Sequence, residues 1–451
     1  MLRDDYRFFI KGILGTFFSN LAKVFSFKSK TYSNEEILVA GGYGWGNAGD
    51  EAQCTQTLKV LSKRYPDLQI VCLTPNIKYS FNHNKDFFCR YASRVMVFNQ
   101  GRSFNLFSYI EKSRLKSISF FLKFIVTWLN CFLVRADLPV FLINSRTASF
   151  LYEMKEARLL FFCGGGYLTG STYSRLWDGI LMCACAHVLR TDVVMSGETI
   201  GNFMTPFNRF LARWGFSHVK LISTRDKEAS LNALKEIGLD DPDRFFATHD
   251  DALFCEKDPD FKFSSGSYVV VNFMDYRMPD YSELSCRLVQ ICNALHDRFS
   301  KIVFLPMDNL DISYFKKLVE QYGLKNVEMF GDAPAPFRTA RSLISESSMC
   351  LTMRHHPIVF ALGEAIPVVS LFCNDYFRHK NIGALSLFGL DDFSVDLRSS
   401  DCVAETLKLV EGAMRDPSGF KDRINSSLRV LASRKEAFMK KVDRILEDQH
   451  P

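Results

Sequence analysis

Short apolar runs, each closed by a turn and followed by a stretch with helical spacing, recur along the chain and constrain its fold class more than any other feature. The first, at 36–40, opens into Gly41-Gly42-Tyr43-Gly44-Trp45-Gly46-Asn47-Ala48-Gly49-Asp50-Glu51, and 51–64 then has the periodicity of a helix. Similar runs follow at 68–73, 159–163, 193–196 and 219–223. A second set lies at 268–273, 302–305, 327–330, 349–352 and 367–371, with helices predicted over 174–190 and 282–298. Nearly continuous apolar strands separated by helices imply parallel sheets covered on both faces. A chain of 451 residues can bury two such cores. The expected fold is α/β, with two Rossmann-like domains facing a cleft and ligands at the carboxyl ends of the strands. The predicted boundaries are a first domain at 31–260 with an insertion at 76–155, a second at 261–403, and a charged helical tail at 404–451.

Composition narrows the function classes. A net charge of +6, from 56 basic and 50 acidic residues, suits an enzyme of anionic ligands or a membrane-surface partner and gives no case for nucleic acid. Thirteen scattered cysteines without a CxxC pair read as reduced thiols of a cytoplasmic protein rather than a zinc site or disulfide framework. Neither a secretory signal nor a full membrane span is expected. Two aromatic segments nonetheless point to a surface. Residues 1–30 carry Phe8, Phe9, Ile13, Phe17, Leu21 and Phe25 at helical spacing, with six cations against two carboxylates. Such a helix can lie in a membrane interface or pack its stripe on a neighbouring domain. The seventeen residues 118–134, interrupted by Lys123 and Asn130, read as an interfacial or partner-facing insertion. Together these favour peripheral attachment at the cytoplasmic face of a membrane.

At the predicted strand ends several residues suit phosphate and carboxylate. Glycines in the 41–49 loop let backbone N–H groups approach an anion beside a helix N-terminus. Asp50 and Glu51 fall in the first turn of that helix, where capping and direct chemistry are both open. Gly164-Gly165-Gly166 is expected to be a turn allowing close strand–helix approach or a ligand contact. Thr352-Met353-Arg354-His355-His356-Pro357 ends an apolar strand. If the strand conformation persists, Arg354 and His356 share one face, a guanidinium fork beside a proton carrier, and His355 turns the other way as a structural residue. Arg225 with Asp226, and Lys380, are further groups aimed at the same cleft.

Taken in order, Gly44-x-x-Asn47-x-Gly49-Asp50-Glu51, Gly164-Gly165-Gly166, Gly197-x-x-Ile200-Gly201, Arg225-Asp226-x-x-x-Ser230-x-x-x-Leu234, Asp250 with Ala252 and Phe254, Arg354-x-His356, and Lys380 resemble the polysaccharide pyruvyl transferase family. The resemblance runs from about 37 to 385, and Asp251 stands where the family often has proline. It implies a two-domain architecture similar to the GT-B-like glycosyltransferases, phosphoenolpyruvate as co-substrate, no metal or other cofactor, and a sugar acceptor, lipid-linked or polymeric, carried to a pyruvate ketal. The donor carries two anions, which asks for several cations: Arg225, Arg354 and Lys380 would bind it, with Gly44, Asn47, Gly49, Gly165 and Gly166 lining the site. His356 would be the general acid or a phosphate ligand, and Asp50 or Glu51 the base. Two alternatives stay open on the residues alone: a sugar-nucleotide-dependent glycosyltransferase, or a non-catalytic membrane-associated subunit of a polysaccharide assembly complex.

Overall fold

The computed structural model describes residues 36–74, 76, 95–99, 116–170, 173–263, 267–275 and 281–448; the aromatic segment at 1–30 lies outside them. Two parallel sheets organise the chain. The first contains β1 (Glu36–Gly41), β2 (Gln69–Thr74), β3 (Val95–Asn99), β4 (Leu159–Thr169), β5 (Asp192–Gly201), β6 (Leu221–Thr224) and β7 (Phe245–Ala247), in the spatial order β3-β2-β1-β4-β5-β6-β7. The helices among them are α1 (Ala48–Arg64), α2 (Lys116–Arg135), α3 (Ser145–Glu156), α4 (Tyr173–Leu189), α5 (Pro206–Phe216) and α6 (Ala229–Glu236). The second sheet contains β8 (Tyr268–Asn272), β9 (Lys301–Phe304), β10 (Val327–Met329), β11 (Met349–Thr352), β12 (Val368–Phe372) and β13 (Ser394–Asp396), in the order β10-β9-β8-β11-β12-β13. Its helices are α7 (Tyr281–His296), α8 (Asn309–Tyr322), α9 (Phe337–Ser345), α10 (His355–Gly363) and α11 (Asp375–Ser386), followed by α12 (Cys402–Arg415) and α13 (Pro417–Glu447).

Both sheets reverse their strand order once, at β1/β4 and at β8/β11, and a crevice opens beyond the carboxyl ends of the strands at each reversal. The expected α/β architecture of two Rossmann-like units is therefore present. The middle of each central strand is apolar: Ile37, Leu38 and Val39 of β1, and Val269, Val270 and Val271 of β8, are all completely buried. Eleven of the twelve described cysteines are buried, and all twelve are free thiols.

Three local expectations need correction. The stretch at 76–155 is partly integral to the domain, because Val95–Asn99 pairs with β2 as the outer strand of the sheet. Its five residues are too short a run to stand out beside polar neighbours. The three glycines at 164–166 form no terminal turn; they lie inside the eleven-residue β4, which carries on to Thr169 through a register shift against β5. Gly164 at φ 30° and Gly165 at φ 158° accommodate that irregularity. Helix α1 begins at Ala48 rather than 51, because the Asn47 side chain accepts a hydrogen bond from the Gly49 N–H and caps it there.

Helix α13, about 46 Å long at 1.5 Å per residue, crosses between the domains. Phe420, Ile424 and Leu431 belong to the core of the second, while Phe438, Met439, Val442 and Leu446 belong to a core of the first. Phe438 packs edge-on against Phe161 and Phe246, with centroids 6.4 and 5.9 Å away, and its burial contributes about 1.5–3 kcal/mol. Arg64 of α1 clamps Asp443 and Glu436 of the same helix. Lys435 reaches Asp251 at 2.5 Å and Ser196, so the aspartate at that unusual position serves as a tie to α13. The relative placement of the two crevices therefore rests on a helix anchored in both cores.

Candidate active site

Most groups at the interdomain cleft sit past the carboxyl end of a strand, while Gly166 lies within β4 and Lys380 on α11. After β1, Asn47 caps α1, and Glu51 returns its Oε1 to accept from the Gly44 N–H at 2.6 Å. Glu51 is completely buried, so its carboxylate holds the glycine loop in shape and is not presented to the cleft as a base. Asp50 is half-buried. Burial raises its pKa, against the lowering charges of Lys380, Arg225 and Arg175, which places it in the field of the cleft cations. Gly49 has no room for a side chain: a Cβ there would lie 1.9 Å from Cγ and Nδ1 of His356. The start of α1 and the start of α10 meet at that point, one from each domain.

After β6 comes Arg225, only 1 % exposed. Its Nη1 donates to Asp250 Oδ2 at 2.6 Å and its Nε to Thr199 Oγ1 at 2.7 Å, while Nη2 is buried without a partner. Asp226 caps α6 by accepting from the Ser230 N–H at 2.8 Å. Asp250 is the hub of the first domain's side: it also accepts from Gln53 Nε2 at 2.8 Å and the Ala252 N–H at 2.8 Å, and His355 Nε2 lies 3.2 Å away. Burial alone would raise its pKa, but the charge of Arg225 and the bond from His355 hold it well below the usual carboxylate range.

The second domain contributes the remainder. Strand geometry ends at Thr352, Arg354 occupies the N-cap position of α10, and His355 and His356 are already helical. The alternation expected for a continuing strand is therefore lost, and Arg354, His355 and His356 all line the cleft. His355, expected to turn away as a structural residue, instead shares Asp250 with Arg225; burial pushes its pKa down to about 3. His356 is buried with Nε2 unpartnered, and burial likewise moves its pKa well below the ordinary value, so the imidazole is neutral. Arg354 donates from Nε and Nη2 to Asp311 at 2.8 and 2.6 Å, in a side-on pair that was not foreseen. Lys380, on α11, is pushed down to about 7, first by burial and then by the charge of Arg225.

Gly166 is where these groups converge. A Cβ on it would lie 2.8 Å from Arg225 Nη2 and 3.3 Å from both Lys380 Nζ and Tyr376 Oη. Only a glycine admits this approach of groups from two domains. Gly165 instead faces the ring of Tyr167, away from the cations. The cleft, of about 230 Å³, is lined by Asn47, Arg354, His355, His356, Tyr376 and Lys380 among others. Two residues before Asn47 in the glycine loop, Trp45 is 43 % exposed, with the Arg175 guanidinium 5.7 Å from its ring centre. Gly44 stays on the loop, held through Glu51. Asp311, Gln53, Tyr376 and Trp45 were not singled out from the sequence. Asp311 had a usable signal, a carboxylate in the first turn of a helix that follows a strand, as at Asp50. The others had none.

A buried guanidinium with a free N–H, a lysine half-charged near neutrality and a neutral histidine have the chemistry to hold a compact anion and pass a proton beside it.

Comparison with known proteins bears on family and fold. The family model for polysaccharide pyruvyl transferase matches residues 47–372. No curated protein matches the sequence. Among solved structures, Anabaena HepE in complex with UDP is similar over 92 % of this chain and all of its own, at 12 % identity and a TM-score of 0.53. The Neisseria meningitidis UDP-GlcNAc 2-epimerase bound to UDP-GlcNAc covers 89 % of this chain and 100 % of its own (11 %, 0.52), and the Rickettsia bellii UDP-N-acetylglucosamine 2-epimerase 91 % and 97 % (12 %, 0.52). At these identities the likeness is one of fold, the GT-B-like arrangement of two α/β domains.

Proposed function

The chain belongs to the polysaccharide pyruvyl transferase family, and from that premise we propose that it transfers the enolpyruvyl group of phosphoenolpyruvate to two hydroxyls of a sugar in a surface polysaccharide or its lipid-linked precursor. The observation that carries this reading is the unmatched N–H of Arg225 facing Gly166 together with Lys380. In water a guanidinium is fully hydrated; here a buried donor has no partner, a cost of about 1–3 kcal/mol that an anionic oxygen relieves. Phosphate and carboxylate of one small donor supply two such anions. Arg225 and Lys380 would take one, and the remaining edge of Arg354 the other.

His356 would deliver a proton to the methylene carbon. Burial keeps the free imidazole neutral, but a neighbouring dianionic phosphate raises its proton affinity, so donor binding charges the acid. Protonation makes C2 electrophilic, the first sugar hydroxyl adds there, and Asp50 accepts its proton. Phosphate then leaves with the C2–O bond pair, and the second hydroxyl closes the ketal. Of the two hydroxyl protons, one replaces that given to the methyl group and the other departs with phosphate.

Incubating the purified chain with phosphoenolpyruvate and a panel of lipid-linked sugars tests this directly. The expected result is phosphate release matched by a pyruvyl mass increment on one acceptor. Silence with phosphoenolpyruvate, alongside nucleotide release from a sugar nucleotide, would replace this reading with a glycosyltransferase.

A further inference from the structure

Helix α2 has two apolar faces and only one of them is covered. Phe124, Cys131 and Val134 point inward and belong to the core of the first domain. Leu122, Leu129 and Phe132, spaced by seven and three residues and hence on one side of the helix, are 40–46 % exposed. Trp128 joins this face to α5: its ring centre lies 5.2 Å from Phe132 and 5.8 Å from Trp214. On α5, Phe207, Phe210 and Trp214 follow one another at helical spacing, and Phe210 is 64 % exposed. Met204, just before that helix, is 68 % exposed. The outcome is one continuous apolar and aromatic surface across two helices, larger than scattered exposed residues produce.

Charge identifies the occupant. Of the described side chains on α2 and α5 the charged ones are Arg135, Arg209 and Arg213, all exposed, and neither helix has an aspartate or glutamate. A protein partner or a second copy of this chain would not require an all-cationic frame, whereas anionic headgroups do. Two tryptophans at the seam suit a headgroup boundary, where one edge of the indole is apolar and the other wet. Among the described residues no helix is long and apolar enough to cross a membrane, so the contact would be interfacial.

We infer that the outer faces of α2 and α5 form a docking surface for an anionic lipid bilayer. The surface begins close to the cleft: a Cβ on Gly170 would touch Met204, and Gly170 lies four residues beyond Gly166, a reach of at most about 13 Å of extended chain. If the cleft acts on a lipid-linked sugar, a clause that rests on the proposed function, this surface presents the acceptor at bilayer depth. Docking itself does not depend on that chemistry.

The experiment is co-sedimentation of the full chain with vesicles of phosphatidylcholine alone and with phosphatidylglycerol added, for the wild type and for Leu129→Glu/Phe210→Glu. Both substituted side chains are exposed, and an unchanged thermal midpoint would show that the fold survives. The expected result is binding to anionic vesicles that weakens with salt, at least a tenfold loss in the double variant, and unchanged turnover of a soluble acceptor. Wild-type vesicle binding by the double variant overturns the inference, as does equal binding to neutral vesicles. A wild-type dimer in sedimentation velocity that the same substitutions split would assign the surface to a second copy instead.

Discussion

At the crevice of each sheet an arginine is held by a buried aspartate, Arg225 by Asp250 in the first domain and Arg354 by Asp311 in the second, and the pairs differ in what they leave over. Arg354 lies side-on with two nitrogens on its partner, and Asp311 is further satisfied by Asn272 Nδ2 and the Met307 N–H. Its side chain is 16 % exposed, so its last nitrogen can be hydrated. Arg225 gives Asp250 a single nitrogen, spends a second on Thr199, and has its third buried and empty. The second pair is complete as it stands and the first is not. A ligand anion finishes the Arg225 site, while at Arg354 it adds to one already settled.

The largest expected effect concerns neither arginine but the histidine between the two crevices. His356→Ala should lower turnover by about 10²–10⁴-fold while phosphoenolpyruvate affinity by calorimetry stays within a few-fold. Equal losses in both would make His356 a phosphate ligand.

Next come the arginines themselves. Arg225→Ala should weaken donor binding by about 2–5 kcal/mol, much of it from the unpaired Asp250 left behind. Arg354→Ala should cost less, about 1.5–3 kcal/mol, the scale of one hydrogen bond to a charged group. Arg354→Lys should remain impaired, because a point charge does not reproduce the side-on pair with Asp311. Titration calorimetry of the three variants decides the order, and a larger loss at Arg354 than at Arg225 would break the comparison.

The smallest effect is one of pH. Lys380 titrates near 7 in the free cleft, and a bound anion favours its charged form. The Lys380 contribution to donor affinity should therefore be full below pH 7 and fall as pH rises above it, by at most tenfold per unit. Proton uptake on binding, measured in two buffers of different ionisation enthalpy, should accompany it. Lys380→Arg should remove the lysine's share of both and leave the proton that His356 takes up. A wild-type affinity independent of pH between 6.5 and 8.5 would show that Lys380 stays outside the donor site.

Much of the fold was legible before any coordinates because its signals are local. The valines of β8, the glycine loop after β1 and the helical spacing of α1 each report their own conformation from neighbours in the chain. Arg225 and Lys380 were legible as candidates because each comes after a strand, and strand ends in a doubly wound sheet form the crevice, whereas Gly166 was found as a glycine run whose place inside β4 was missed. The placing of His355 was wrong because the strand's alternation was carried past Thr352, where β11 stops as expected and Arg354 already caps the next helix.

By itself, then, the sequence determined two parallel sheets, the turns at their carboxyl ends and a surplus of cations there, because backbone periodicity and residue chemistry are properties of short segments. Only the tertiary structure decided which cation is satisfied and which is not. Asp311 is 43 residues from Arg354 and His355 is 105 from Asp250, and Tyr376 meets Gly166 across 210. The first of these pairings forms within the second domain and the other two only once the domains are docked, since hydrogen bonds of about 3 Å require two surfaces placed to within a fraction of that distance.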